Sequence, residues 1–280
     1  MTSTLNALKG GKIMKKQMIT MYLLMLLVIC LTGSFDYAEV TETIDVTNLG
    51  KGIVDIIYKT SDTLKYKVLI SKDDQKITYP FTANGISVAF PLQLGNGTYK
   101  IGLLKNVSGT KYVYVAQKTV ELNLKDPNIV FLNAVQNINW NKDLKAIEFG
   151  KKLLKANTTT SKRIQTLYGY MVKNVSYDYD KISKLTADYI PSVEQTYTDL
   201  KGICYDYSAL FASIERSHGI PTKLVKGYSK FVNGYHAWNE AFIDGKWVII
   251  DNTVDSTWKG SKTGLKMFKS VDDYTKVNEY

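Results

Sequence analysis

The sequence predicts an α+β fold, a strand-rich first part followed by helices packed on an antiparallel sheet. Three observations predict it. Short runs rich in Val, Ile and Tyr, separated by Gly- and Asn-containing turn signals, fill residues 41 to about 125. Apolar residues then recur at helical spacing from Asp143 to about Val175. Strand-like runs return from Thr222, and the last two are joined by Asp244-Gly245, a type I′ hairpin signal.

In order, the first strands are expected at Ile53–Tyr58, Leu64–Ile70, Ile86–Phe90, Thr98–Leu104 and Tyr112–Leu122. Asn84-Gly85, Gly95-Asn96-Gly97 and Ser108-Gly109 supply turns between them. Several short strands at this spacing suggest a small all-β, sandwich-like accessory domain over residues 39–127. It contains neither His nor Cys, and no cluster that carries chemistry. The character shifts at Asp126-Pro127, which sets a domain boundary between 126 and 140 and a second domain over 128–280. There, Leu144, Ile147, the Lys151 stem and Leu154 mark one helical face. After the break at Thr158–Ser161, Ile164, Leu167, Tyr168, Met171, Val172 and Val175 mark another. A third helix starts near Cys204, with Ile203, Tyr207, Leu210, Phe211 and Ile214 on its apolar face. It stops at Gly219 with Pro221 just beyond. Strands follow at Thr222–Tyr228, His236–Ile243 and Trp247–Asp251, with His236 opening its strand after a Gly234-Tyr235 turn.

Lys15 and Lys16 precede an apolar run from Ile19 to Leu31 and then small and polar residues up to Ala38, the order of a secretory signal peptide. The run falls short of the roughly 20 residues of a comfortable membrane span. Residues 1–38 are therefore expected to be a signal, with Met14 as an alternative start and an uncleaved anchor as the other reading. The chain is expected to be secreted or at the cell surface. Cys30 leaves with the signal, and bulky Ile29 argues against its lipidation. The mature chain then keeps a single thiol, Cys204, and no internal disulfide. With 45% hydrophobic residues, the chain has material for a core without one. Losing Lys9, Lys12, Lys15, Lys16 and Asp36 takes the net charge from +10 to +7, which suits an anionic wall polymer or membrane surface. Nucleic acid is excluded as a partner for an exported chain without an aromatic-basic motif.

Gly202 allows a tight entry, and Cys204 falls in the first turn of its helix. Free backbone N–H groups and the positive end of the helix dipole there favour a thiolate and suit an oxyanion. A nucleophilic thiol wants a base, and the chain holds two histidines. His218 lies at the far end of the same helix, about 20 Å away at 1.5 Å per residue. His236 can be brought alongside. With Asp244-Gly245 as the turn, Ile243 pairs with Lys246 and Asp251 falls opposite Trp238, a diagonal neighbour of His236. Asp251 is thus the expected orienting carboxylate, with Glu240 as its rival and Asp255 beyond the strand. Cys204, His218 and His236 are too few and too scattered for zinc, and no acidic loop of the EF-hand kind implies calcium.

Three stretches carry a resemblance: Lys-Gly-Ile-Cys204-Tyr-Asp-Tyr-Ser-Ala-Leu with Gly219-Ile-Pro, Gly-Tyr-His236-Ala-Trp-Asn-Glu, and Asp-Gly-Lys-Trp-Val-Ile-Ile-Asp251-Asn-Thr. They resemble the core of the transglutaminase-like superfamily, in which the Cys, His and Asp of these motifs form the catalytic triad in this order. The resemblance implies a papain-like catalytic domain and acyl transfer through a thioester without a cofactor. The substrate would be a protein or peptide. Hydrolysis of peptide or amide bonds ranks ahead of Gln–Lys cross-linking, and a non-catalytic wall-binding module is a third reading. The strand-rich part is similar to the accessory domain of secreted Firmicutes members. Tyr177, in Val-Ser-Tyr-Asp-Tyr, is the candidate oxyanion or substrate contact, and Trp238 reads as core packing.

Overall fold

Alternation of apolar and polar residues builds the first part of the molecule. The computed structural model describes residues 43–157, 159–258 and 266–280; the expected signal segment 1–38, with Cys30, lies outside them. The first seven strands are β1 (Ile44–Asp45), β2 (Ile53–Ile56), β3 (Tyr66–Lys72), β4 (Gln75–Phe81), β5 (Val88–Pro91), β6 (Gly97–Ser108) and β7 (Lys111–Leu122). They form two antiparallel sheets, in the orders β1-β2-β5 and β4-β3-β6-β7. Tyr66, Val68 and Ile70 on β3 point inward, as do Ile77, Tyr79 and Phe81 on β4 and Tyr99, Ile101 and Leu103 on β6. Burying each such side chain contributes about 1.5–3 kcal/mol. The sheets meet where Phe90 of β5 packs edge-on against Tyr79, ring centroids 5.1 Å apart.

The second part runs α1 (Lys145–Leu154), α2 (Thr160–Asn174), β8 (Ser176–Tyr177), α3 (Tyr179–Ile182), α4 (Val193–Asp199), β9 (Lys201–Gly202) and α5 (Cys204–Ser217). Then follow β10 (Thr222–Ser229), β11 (Val232–Ile243), β12 (Lys246–Ile250), α6 (Asn252–Thr257), β13 (Phe268–Lys269) and β14 (Tyr274–Glu279). The last five strands make one antiparallel sheet in the order β13-β12-β11-β10-β14. Helix α5 is buried from Tyr205 to Arg216, so it is wrapped on all sides rather than laid on a surface. Small residues Ala237 and Ala241 and the amide of Asn239 let β11 approach it, and Asn239 Nδ2 donates to the Ser208 carbonyl at 3.0 Å.

The core continues without a break from Ile44 to Tyr280. Tyr79 packs on Tyr280 with centroids 5.6 Å apart, and Gln93 Nε2 donates to the Tyr79 hydroxyl and the Glu279 carbonyl. Arg216, which burial holds down at about 9, donates to the carbonyls of Thr222, Asn133 and Tyr280. No helix among the described residues is long and apolar enough to cross a membrane.

The three expected helices and the Asp244-Gly245 hairpin form where the periodicity puts them, with φ of +48° and +80° at the turn. Four features differ. Strand β4 follows an Asp73-Asp74 turn in which Asp73 itself takes φ +51°, without the glycine that usually signals such a turn. Helix α4 and strand β14 have no signal in the sequence pattern. Gly234-Tyr235 is not a turn: β11 already starts at Val232, and Gly234, with φ +117°, lies inside it. Finally, β12 stops at Ile250, so Asp251 stands just past the strand.

Candidate active site

The site is assembled at the start of α5. Ile203 occupies the N-cap in an extended conformation and offers no side-chain acceptor. Instead the Asp206 carboxylate, three residues on, accepts the Ile203 N–H at 2.9 Å, half of a capping box. Asp206 is fully buried and also accepts from Lys181 Nζ at 2.7 Å and from the Tyr189 hydroxyl. A Cβ on Gly202 would come within 2.6 Å of Asp206, so only glycine lets the chain turn this tightly into the helix. Half-buried Cys204 is the first helical residue, where unpaired N–H groups and the helix dipole gather.

His236 comes from β11 and Asp251 from the connection between β12 and α6. The β11–β12 register runs from Ile243↔Lys246 to Asn239↔Ile250, as the hairpin predicts. One step further, Asp251 Oδ2 lies 2.8 Å from His236 Nε2. That bond leaves Nδ1 free of Asp251, and Cys204 favours the imidazolium through hydrogen bonding and its charge. Burial disfavours the imidazolium, but the Asp251 charge and hydrogen bond, with the contribution of Cys204, outweigh it and push His236 up to about 10. Asp251 is fixed twice more. Its Oδ1 accepts the Val254 N–H at 3.0 Å as the N-cap of α6, and its Oδ2 accepts the Tyr274 hydroxyl at 2.9 Å. Trp238 is buried, with its ring 6.2 Å from that of His236 and 4.9 Å from that of Tyr274, so it walls the pair. Gly227, opposite His236 on β10, has no room for a side chain. A Cβ there would lie 2.0 Å from the Thr275 carbonyl oxygen.

Tyr177 reaches Cys204 because β8 pairs in parallel with β9, Tyr177 opposite Gly202. The Cys204 main chain hydrogen-bonds its hydroxyl, and burial followed by the charge of Cys204 pushes Tyr177 up to about 12. The other candidates lie elsewhere. His218 caps the opposite end of α5, with Nδ1 2.8 Å from the Ile214 carbonyl oxygen. Glu240 is held by Lys276 Nζ at 2.8 Å, and Asp255 by Lys269 Nζ at 2.5 Å and the Tyr168 hydroxyl at 2.7 Å. Among the described residues no group of three or more His, Cys, Asp or Glu could hold a metal ion. Sequence reasoning missed Asp206 and Tyr274. Asp206 sits in a readable position, the third of its helix. Tyr274 lies on a strand, and no motif marks it.

Residues 147–252 match the family model described as Transglutaminase-like superfamily. No curated protein matches the chain. Among solved structures it is similar to a putative cysteine protease from Cytophaga hutchinsonii, at 17% identity over 80% of this chain and 73% of that one, TM-score 0.45. It is also similar to the periplasmic domain of TgpA from Pseudomonas aeruginosa bound to ethylmercury, at 15% identity over 72% of each chain, TM-score 0.36. Red sea bream transglutaminase shares 10% identity over 71% of this chain and 47% of that one, TM-score 0.31. The matched segment, with helices packed on an antiparallel sheet, has the transglutaminase-like fold, and it is the segment that brings Cys204, His236 and Asp251 together.

Proposed function

We propose that the chain is an exported thiol acyl-transfer enzyme that hydrolyses peptide or amide bonds, with Cys204 as nucleophile, His236 as base and acid, and Asp251 as orienting carboxylate. The observation that carries this reading is the buried imidazole held by Asp251 at 2.8 Å, whose cation is further favoured by Cys204 at the start of α5. An imidazole favoured as its cation beside a sulfur at a helix N-terminus supports a thiolate–imidazolium pair.

In the proposed cycle the Cys204 sulfur attacks the substrate carbonyl carbon, and the carbonyl oxygen becomes an oxyanion near the first N–H groups of α5 and the Tyr177 hydroxyl. His236 gives its proton to the leaving amine as the C–N bond breaks, which leaves an acyl-thioester on Cys204. Water then attacks the thioester and passes a proton to His236. The acid departs and the thiolate–imidazolium pair is restored. A lysine amine in place of that water would give cross-linking. Residues 39–127 are proposed as an accessory domain that presents the enzyme to a wall polymer, following removal of the signal at 1–38.

Iodoacetamide tests the nucleophile. Cys204 should alkylate faster than a free model thiol near neutral pH, and equal rates would sink the reading in favour of a non-catalytic wall-binding module. Incubating the mature protein with glutamine-donor peptides and a labelled amine separates the outcomes. Free acid is expected; amine incorporation without acid would establish transamidation instead. Cys204→Ala should abolish turnover and leave the fold intact.

A further inference from the structure

Lysines that give up water around this sheet hold carboxylates. Lys181 lies 2.7 Å from Asp206, Lys223 3.0 Å from Glu279, Lys269 2.5 Å from Asp255 and Lys276 2.8 Å from Glu240. Lys226 breaks the pattern. Its Nζ stands 3.5 Å from the ring centroid of Tyr205 and 5.2 Å from that of Tyr280, and among the described residues no carboxylate lies in salt-bridge reach of it. The aromatic faces attract the cation without neutralising it.

Its place in the fold sets it against the residue that follows Cys204. Tyr205 follows Cys204 on α5, and Lys226 on β10 pairs with Ala237, the neighbour of His236 on β11. Burial pushes Lys226 down to about 8, and the charge of Cys204 acts on it in the opposite sense. Further along the same strands, Tyr228 and Tyr235 are 53% and 51% exposed and stack edge-on with centroids 5.6 Å apart. The ammonium of this half-buried residue therefore has aromatic walls in Tyr205 and Tyr280 and feels the charge of Cys204. What it lacks among the described residues is a carboxylate.

We propose that Lys226 is a substrate-binding residue, which receives a carboxylate carried by the acyl donor close to the carbonyl that Cys204 attacks. The substrates it selects are peptides with an anionic group at that position, either a C-terminal carboxylate or an Asp or Glu side chain. This inference rests on the acyl-transfer reading and names the substrate class of that same site.

Charge-matched alkylation tests it without a known substrate. Cys204 is alkylated with iodoacetate, which carries the carboxylate, and with neutral iodoacetamide, in the wild type, Lys226→Met and Lys226→Arg. His236 is present in all three, so its attraction for the anion cancels in the comparison. The ratio of iodoacetate to iodoacetamide rates should fall at least about tenfold in Lys226→Met and stay within about threefold of wild type in Lys226→Arg. Lys226→Gln, which keeps most of the stem, takes the place of Lys226→Met if the latter does not melt cooperatively. An unchanged ratio overturns the proposal while leaving the nucleophile intact. A Cys204 slow toward both reagents overturns the acyl-transfer reading and this inference with it. Paired peptides then separate the two carboxylate sources, a C-terminal acid against its amide and a Glu side chain against Gln. One pair should show a preference of about tenfold that Lys226→Met removes; no preference in either pair overturns the proposal.

Discussion

The two parts of this molecule are built from antiparallel sheets by the same alternation, and they treat charge in opposite ways. Between Thr43 and Pro127 the buried polar side chains are Thr43 and Gln93, neither of which titrates. Between Asp206 and Asp255, Asp206, Glu215, Arg216, Lys223, His236, Glu240, Asp251 and Asp255 are all buried. Taking each such ion out of water costs several kcal/mol unless a partner offsets it. The first part is therefore organised by apolar packing, and the second by a polar network that the packing encloses. Within that network the partnering is uneven. Asp206, Asp251 and Asp255 each hold two or more donors, whereas both oxygens of the Glu215 carboxyl are buried without a hydrogen-bond partner.

The largest effect that tests this contrast is at Asp251. Asn at this position keeps a carbonyl oxygen for the Val254 N–H, so α6 stays capped, but its amide cannot orient His236 as a carboxylate does. In Asp251→Asn, kcat should fall by about 10³–10⁴-fold, and the melting temperature should fall at neutral pH, where His236 gains most from the carboxylate. The pH profile supplies the sign. The folded protein holds His236 up at about 10, above its ordinary 6.5, so its stabilising share is full below about 6.5 and is lost as pH rises through about 10. The wild-type alkaline limb should stand near 10 and move down in Asp251→Asn. A limb that stays in place would detach the buried network from the chemistry.

Much of this was legible beforehand, for identifiable reasons. Helices α2 and α5 declare themselves through apolar spacing and end signals. The Asp244-Gly245 turn fixes a register in which any carboxylate at 251 must meet His236. Contacts that depend on short or distant pairings were not legible. Tyr177 was named from its motif, but the pairing of β8 and β9 that takes it to Cys204 has two residues on each strand, too short to carry a period. Tyr274 reaches Asp251 from β14, which pairs with β10 across a long stretch of chain and gives no local turn signal. Lys226 sits in the run Leu-Val-Lys-Gly-Tyr and reads there as a lysine reaching out to water. The Asp73-Asp74 hairpin hid because its left-handed residue is an aspartate rather than a glycine.

Asp206 comes next in size. Its carboxylate receives the Ile203 N–H, Lys181 and the Tyr189 hydroxyl at the entrance to α5, so it ties residues 181–189 to the turn that carries Cys204. Asp206→Asn should cost about 2–4 kcal/mol of unfolding free energy, read by urea titration. A loss below about 0.5 kcal/mol, the range of an ordinary surface substitution, would mean the network is not what holds this end of the helix. Glu215 should behave in the opposite direction. Burial pushes it up to about 8 from its ordinary 4.5, with Arg163 opposing weakly. Its contribution is therefore full below about 4.5 and is lost as pH rises through about 8. Glu215→Gln should raise the melting temperature at pH 9 by several degrees and change it little at pH 5, because the amide never ionises. A variant less stable at pH 9 would show that the carboxylate has a partner in solution.

The smallest effect belongs to Tyr274, which touches the site through one hydroxyl. Tyr274→Phe removes the 2.9 Å bond to Asp251 Oδ2 but keeps the ring that packs 4.9 Å from Trp238. Asp251 retains His236 and the Val254 N–H, so the loss should be about 1 kcal/mol in stability, the worth of one hydrogen bond. Freed of the competing donor, Oδ2 bonds His236 alone, and the alkaline limb of the rate profile should move up rather than down. A structural role confined to packing would leave that limb where it was. The direction of this shift, set beside the downward shift of Asp251→Asn, decides whether the buried network tunes the imidazole or only surrounds it.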